Sequence, residues 1–179
     1  MVKICVYTMD HQSVQFHYTP VELCKALIAT IKIEPTDRLL EPFAGAGAFY
    51  DNFPAENPKD WCEIDRGRDF FEYTEKCDII ITNPPFFTMD GKRTPMVFKC
   101  LYKCIELAEK KVCFLLSTRC LNGFTPLRLA KFAETGWGIT SLVVCNVKEW
   151  IGRYYMVTFE KTTTPCISFI TKSYSVENK

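Results

Sequence analysis

The sequence predicts an α/β domain built on a mostly parallel sheet, with an antiparallel hairpin at its C-terminal end. Three observations predict it. Short apolar segments bounded by Pro, Gly, Asn and Asp alternate with segments of helical spacing along most of the chain. Residues 78–82 (DIIIT) are apolar without alternation, the mark of a strand covered on both faces. Polar residues recur just after such segments, at Glu41, Glu63, Asp69 and Asn83, where an open α/β sheet has its ligand crevice.

Taken in order, residues 1–15 read as a short strand or an arm. Thr19 suits an N-cap and Pro20 the first position of a helix. Val21, Leu23, Cys24, Leu27, Ile28 and Ile31 follow at helical spacing. Residues 35–37 form a turn, and residues 38–40 a short strand ending at Glu41-Pro42-Phe43. Residues 44–49 (AGAGAF) read as a glycine-rich turn into a helix. After a Pro/Asn-rich loop at 54–59, residues 61–65 (WCEID) form a second strand, with Asp69-Phe70-Phe71 close behind. The third strand, 78–82, stops at Asn83-Pro84-Pro85-Phe86. Two consecutive prolines donate no backbone hydrogen bonds and fix an extended chain, so no central strand continues through them. They hold the Asn83 amide rigidly at the strand's end, with two aromatic rings, Phe86 and Phe87, next to it.

Residues 94–110 read as a helix with Met96, Val97, Leu101, Cys104, Ile105 and Ala108 on one side, and 112–117 as a fourth strand. Thr125-Pro126 caps another helix that Gly136 ends. Residues 139–147 and 155–160 are strands, with a further strand candidate at 166–171. The length of 179 residues suits one domain, 1–179, with an N-terminal arm (1–15) and a C-terminal extension (161–179).

The 47% hydrophobic and 24% charged fractions are those of a soluble globular protein. A net charge of +1 gives no global footprint for nucleic acid, so any basic surface is local. None of the ten cysteines is spaced as CxxC, and most lie in apolar stretches. Cys100 and Cys104 share a helical face without a His or further Cys nearby. The expectation is reduced, buried thiols, no metal, and an intracellular protein of the cytoplasm or nucleus. No secretory h-region and no apolar run of membrane-spanning length are visible.

The glycine-rich turn is by itself only a tight connection. A dinucleotide fingerprint asks for a third glycine at position 50, which is Tyr50. The acids decide the reading. Glu41 would repel a pyrophosphate but suits a positive amino group. Glu63 is placed to accept ribose hydroxyls, and Asp69 could accept from an adenine amino group. A cationic amino acid, a ribose and an adenine together describe S-adenosylmethionine.

Tyr18-Thr19-Pro20, residues 41–49 (EPFAGAGAF), Glu63-Ile64-Asp65, Asp69-Phe70-Phe71 and Asn83-Pro84-Pro85-Phe86 carry a resemblance. In this order the chain resembles the class I S-adenosylmethionine-dependent methyltransferases, in particular those acting on adenine N6. It looks most like compact, phage- or virus-type members, and the NPPF stretch also looks like a small RNA adenine methyltransferase. The motifs cover roughly the first half of the chain. The resemblance implies a single-domain Rossmann-like methyltransferase sheet and the following roles. Gly45, Ala46 and Gly47, with Pro42, Phe43 and Ala44 leading in, pass under the methionine moiety. Glu41 holds its amino group, and Tyr18 and Thr19 border its carboxylate. Glu63 binds the ribose and Asp69 the adenine amino group, with Ile64 and Phe70 flanking the ring. Asn83, Pro84, Pro85 and Phe86 form the catalytic set. The Asn83 amide and the Pro84 carbonyl accept from an exocyclic amine, and Phe86, with Phe87, stacks on the target ring.

Two departures follow. Only Arg66-Gly67-Arg68 separate Asp65 from Asp69, so the family's helix-strand unit after the second strand is expected to be missing. There is also no room for a target-recognition domain, so a protein partner or a structured substrate is expected to supply specificity. Lys92, Arg93 and Arg119 are candidates to meet phosphates of a DNA or RNA substrate, and equally suit a solvated face. Two rival functions are kept: methylation of a glutamine side-chain amide, and a cofactor-binding subunit without catalysis.

Overall fold

The computed structural model describes residues 3–7, 14–86, 95–162 and 164–167, and for 3–7 and 14–18 the backbone alone. Strands β1 (Lys3–Tyr7) and β2 (Val14–Tyr18) pair antiparallel in a small sheet of their own, so the arm expected at 1–15 is half of a strand pair reaching Tyr18. Helix α1 (Val21–Ile28) follows after two residues and buries Cys24, Leu27 and Ile28. Pro20, not Thr19, is its N-cap, and no side chain caps it. The Thr19 hydroxyl is engaged elsewhere.

Six strands make the main sheet: β3 (Leu39–Glu41), β4 (Lys59–Trp61), β5 (Cys77–Thr82), β6 (Ala108–Ser117), β7 (Trp137–Cys145) and β8 (Tyr154–Lys161). Their order is β4-β3-β5-β6-β8-β7. The first four run parallel, while β8 is antiparallel to both β6 and β7. This is the expected sheet, with the antiparallel hairpin at its C-terminal end. Central strand β5 buries Ile79, Ile80 and Ile81 completely, which accounts for its unbroken apolar run. Helices α2 (Met96–Leu107) and α4 (Pro126–Glu134) cover β6 and β7, and the short α3 (Thr118–Leu121) follows β6. Their aromatic core converges on Phe159 of β8, whose ring lies 5.4 Å from Phe132, 5.7 Å from Phe124 and 6.4 Å from Phe114. Burying each such ring stabilises the fold by roughly 1.5–3 kcal/mol.

Helix α4 forms as its punctuation predicts: Thr125 caps it by accepting from Arg128 N, Pro126 opens it, and Gly136 follows it at φ 78°. Three boundaries differ from the expectation. No α-helix follows the glycine-rich turn; the chain makes turns and then a single 3-10 turn at Tyr50–Asn52. The second strand ends at Trp61 rather than at 65, because residues 64–66 wind into a 3-10 turn capped by Glu63. Helix α2 ends at Leu107, and β6 starts at Ala108 instead of 112. There the Lys110 ammonium is drawn to Asp37 and Asp78 and holds its segment in the sheet.

Between β4 and β5 there is neither α-helix nor strand, only 3-10 turns at Ile64–Arg66 and Phe70–Glu72. Strand β4 is therefore the sheet's edge. It is closed by side chains. Asp60 accepts from Trp61 N at 2.8 Å, from Arg68 at 2.7 Å and from the Tyr73 hydroxyl at 2.9 Å. The Arg68 guanidinium lies 4.5 Å from the centre of the Trp61 ring. An edge N–H bonded to a carboxylate does not recruit another strand. At the far edge, Cys166 N donates to Ile139 O, and residues 168–171 of the last strand candidate lie outside the described residues.

Candidate active site

The carboxyl ends of β3, β4 and β5 bring three of the expected acids and the amide to one rim. Glu41 closes β3 and is fully buried. Its Oε2 accepts from Tyr50 N at 2.6 Å, while Oε1 has no hydrogen-bond partner among the described residues. Burial pushes its carboxyl well above the usual carboxylate range, against the opposing pull of the Tyr50 N–H. The neighbouring Asp51 and Glu63 carboxylates push the same way as burial.

The turn itself needs its glycines. Gly45 and Gly47 have φ of 52° and 92°, and a Cβ on Gly47 would sit 2.8 Å from the Asp51 carboxylate. Pro42 and Ala44 are buried, Phe43 half-buried and Ala46 exposed. Ala44 N donates to Cys62 O, tying the loop to the chain after β4.

Glu63 lies two residues beyond β4. Its Oε2 accepts from Gly45 N at 2.5 Å and its Oε1 from Asp65 N at 3.2 Å. A carboxylate has about four lone-pair sites, so both oxygens keep capacity for a hydroxyl. Asp69 accepts from Phe71 N at 2.8 Å and caps the second 3-10 turn. Ile64 is 68% exposed and offers an open apolar surface, whereas Phe70 is buried edge-on against Phe43 at 5.1 Å. Of the pair expected to flank an adenine, Ile64 is accessible and Phe70 is not.

Asn83 follows β5 directly and is 1% exposed. Its Nδ2 donates to Thr19 Oγ1 at 3.1 Å, and Thr19 is fully buried. Its Oδ1 has no partner among the described residues. Pro84 is buried and Pro85 half-buried. Phe86 is buried in the core, so it is not an open platform in this structure. Phe87, Lys92 and Arg93 lie outside the described residues, and the Tyr18 side chain is likewise not described. Arg119 is exposed on α3, just past the carboxyl end of β6. Arg128 donates to Gly123 O at 2.6 Å and lies 4.3 Å over Phe98, a structural engagement. The Thr19–Asn83 bond had no signal in the sequence, where Thr-Pro reads as a helix start.

Burial pushes the Cys24 and Cys113 thiols up to about 12, and both stay protonated and inert at neutral pH. Among the described residues no three His, Cys, Asp or Glu stand together as a metal site, and no helix is long and apolar enough to cross a membrane.

Among the described residues, Glu41 Oε1, Thr82 Oγ1 and Asn83 Oδ1 are buried without partners, and with a glycine cradle and a carboxylate beside them they suit a ligand that brings N–H groups and hydroxyls. No protein-family model matches the sequence, and no curated protein matches it. Solved structures do match its shape. A Listeria monocytogenes protein assigned to the class I S-adenosylmethionine-dependent methyltransferases aligns at TM-score 0.64 and 10% identity, covering 85% of this chain and 62% of that one. The E. cuniculi Mtq2–Trm112 complex, responsible for methylation of the eRF1 translation termination factor, aligns at TM-score 0.58 and 16% identity over 81% and 98% of the two chains. The Synechocystis magnesium protoporphyrin IX methyltransferase, solved with bound S-adenosylmethionine, aligns at 0.57 and 10% over 79% and 78%. At such identities the likeness is one of architecture: the chain has the fold of the class I S-adenosylmethionine-dependent methyltransferases.

Proposed function

We propose that this protein transfers a methyl group from S-adenosylmethionine to the N6 amino group of adenine in DNA or RNA. The observation that carries the reading is the buried Asn83 amide, held at the end of β5 with Oδ1 lacking a partner among the described residues. A buried acceptor left unpaired costs about 1–3 kcal/mol. An incoming N–H removes that cost. Fixed by Thr19 on one side and Pro84-Pro85 on the other, Asn83 aims one acceptor at the amine, and the Pro84 carbonyl supplies the second. Occupying both hydrogens turns the nitrogen lone pair outward.

The cofactor supplies a methyl group on a positively charged sulfur. Glu41 would hold its amino group, the loop from Pro42 to Gly47 would pass under its methionine moiety, and Tyr18 and Thr19 would border its carboxylate. Glu63 would accept from its ribose, and Asp69 from its adenine, against Ile64 and Phe70. The orphaned Glu41 Oε1 fits a cationic partner. On transfer the N–CH3 bond would form as the S–CH3 bond breaks, the sulfonium would leave as a neutral thioether, and the amine would then lose its proton to water. Positioning supplies most of the rate. Phe87 is assigned to the target ring, and Lys92, Arg93 and Arg119 to its phosphates. Target recognition is assigned to a protein partner. Its reduced thiols fit the cytoplasm or nucleus.

A second reading, methylation of a glutamine side-chain amide, is favoured by the likeness to the complex that methylates eRF1, since an amide NH2 meets the same acceptors. One experiment separates them. Labelled S-adenosylmethionine is offered with double-stranded DNA, single-stranded DNA, structured RNA and bulk protein, followed by nucleoside and amino-acid analysis. N6-methyladenine is the expected product. Label in protein moves the reading to the amide, and cofactor binding without transfer points to a non-catalytic subunit. The variant Asn83→Ala is expected to bind cofactor as the parent does and to lose transfer.

A further inference from the structure

We propose, resting on the adenine-methylation reading, that the loop between β7 and β8 opens base-paired nucleic acid. Ile151 enters the stack at the place the target adenine vacates, and Lys148 and Arg153 hold phosphates beside it. An adenine inside a duplex is stacked and its amino group is paired. It cannot reach a buried acceptor such as Asn83 without leaving the helix. Proteins that part base steps do so with an apolar side chain pushed between them.

Sheet topology puts this loop at the rim that holds Asn83. Strands β5 and β6 run parallel, with Thr82 level with Phe114. Strand β6 continues to Ser117, which pairs with Tyr154, and Tyr154 pairs with Cys145. Residues 146–153 therefore leave the sheet at the carboxyl ends of β5 and β6. Strand β8 stands two places from β5, about 10 Å across the sheet.

The loop has a fixed root and an open tip. Val147 and Trp150 are buried, Trp150 N donates to Val147 O at 3.0 Å, and the Trp150 ring lies 4.4 Å from that of Tyr154. Arg153 O accepts from the N–H and from the hydroxyl of Thr118, each at 3.0 Å, which ties the loop to α3. Between these anchors Ile151 is 78% exposed, the most exposed large apolar residue among those described. Apart from its own neighbours in the chain, no described residue comes within 4 Å of the place a Cβ on Gly152 would take. The tip thus stands clear of the fold. Lys148 and Arg153 are exposed on either side of Ile151, against the single acid Glu149, and exposed Arg119 follows Thr118. This local basic surface suits a phosphate backbone, which the net charge of +1 alone would not suggest.

Binding can be read without knowing the target sequence and without transfer. Mixed-sequence duplexes of DNA and of RNA are offered intact or with one nucleotide made abasic, in the presence of S-adenosylhomocysteine. The abasic duplex already holds the gap, so the wild type is expected to bind it on the order of 10-fold more tightly in at least one of the two nucleic acids. Ile151→Ala is expected to lose that preference, and Ile151→Leu to keep it. Lys148→Ala and Arg153→Ala are each expected to weaken all duplexes alike and to lower the salt slope of binding by about one. Equal binding of intact and abasic duplexes by the wild type overturns the proposal, and so does an Ala variant that keeps the preference. In the transfer assay, Ile151→Ala is expected to lower the ratio of duplex to single-strand kcat/KM on the order of 10-fold. A preference that depends on Ile151, without any transfer, would defeat the methylation reading and leave the wedge standing. Transfer confined to single strands would do the reverse.

Discussion

Glu41 is where stability and function pull in opposite directions. A carboxyl this deeply buried is uncharged more readily than in water, because desolvation penalises the anion. Its folded pKa lies above the ordinary 4.5, so the folded state binds a proton that the unfolded chain releases. The associated stability is complete below pH 4.5 and is lost as the pH rises through the folded value. Glu41→Gln removes the charge and keeps an acceptor for Tyr50 N–H. Relative to wild type, the variant is expected to gain on the order of 1 kcal/mol near neutral pH, a rise of about 2–4 °C in Tm for a domain of this size. Below pH 4.5 the difference should vanish. Melting both proteins without ligand across this range checks it, and a wild type that stays the more stable at neutral pH would disprove the idea. If Glu41 holds the cofactor's amino group as proposed, the variant is also expected to lose S-adenosylmethionine binding.

At the scale of elements, the loss of a helix-strand unit is made good by Asp60. This residue links the edge strand β4 to Arg68 and Tyr73 and blocks the Trp61 N–H. Desolvation raises its pKa, but the Trp61 N–H, the Arg68 guanidinium and the Tyr73 hydroxyl together hold it below the ordinary 3.8. Its contribution is therefore present above pH 3.8 and lost as the pH falls through the folded value. Asp60→Ala is expected to cost about 1 kcal/mol, read in urea denaturation at neutral pH, and to expose an edge that self-associates. An unchanged midpoint and a monomeric variant would show that the edge is closed by something else. The same elements show what could be read in advance. The run Ile79-Ile80-Ile81 and the set Thr125, Pro126 and Gly136 declare a strand and a helix locally, and both stand where the sequence puts them. The failures come from contacts distant in sequence. Lys110 is held by Asp37 and Asp78 and shifts the α2–β6 boundary. After Glu41 accepts from Tyr50 N, the chain makes only a 3-10 turn where the sequence predicts a helix. Thr19 bonds Asn83 instead of capping α1. The acids and the amide of the site were legible because strand ends fix where they stand. Their orientations were not, because partners far along the chain decide them.

For the whole molecule, the site's demands appear as a pH dependence of ligand-induced stability. A ligand that binds only the folded state adds about 2.7 kcal/mol at one hundred times its Kd. If the Glu41 carboxylate holds the cofactor's amino group, that addition cannot be constant. At low pH the buried carboxyl is neutral, and a cationic ligand must first displace its proton. As the pH rises from 4.5 through the folded pKa, that proton no longer has to leave, and affinity climbs. Over the same interval the ligand-free fold loses the stability that Glu41 lent it as an acid. These are one proton linkage seen from two sides, and by it the gap in Tm between bound and free protein widens. At higher pH the ligand's own α-amino group loses its proton, and the gap should close again. S-adenosylhomocysteine carries the same amino group and is stable through a melt, so it is the ligand to use. The expected curve rises from acid to near neutrality and then turns down, and Glu41→Gln flattens its rising limb. A wild-type gap that is level between pH 4.5 and 8 would take the amino group away from Glu41, and the orphaned oxygen at the end of β3 would need another partner.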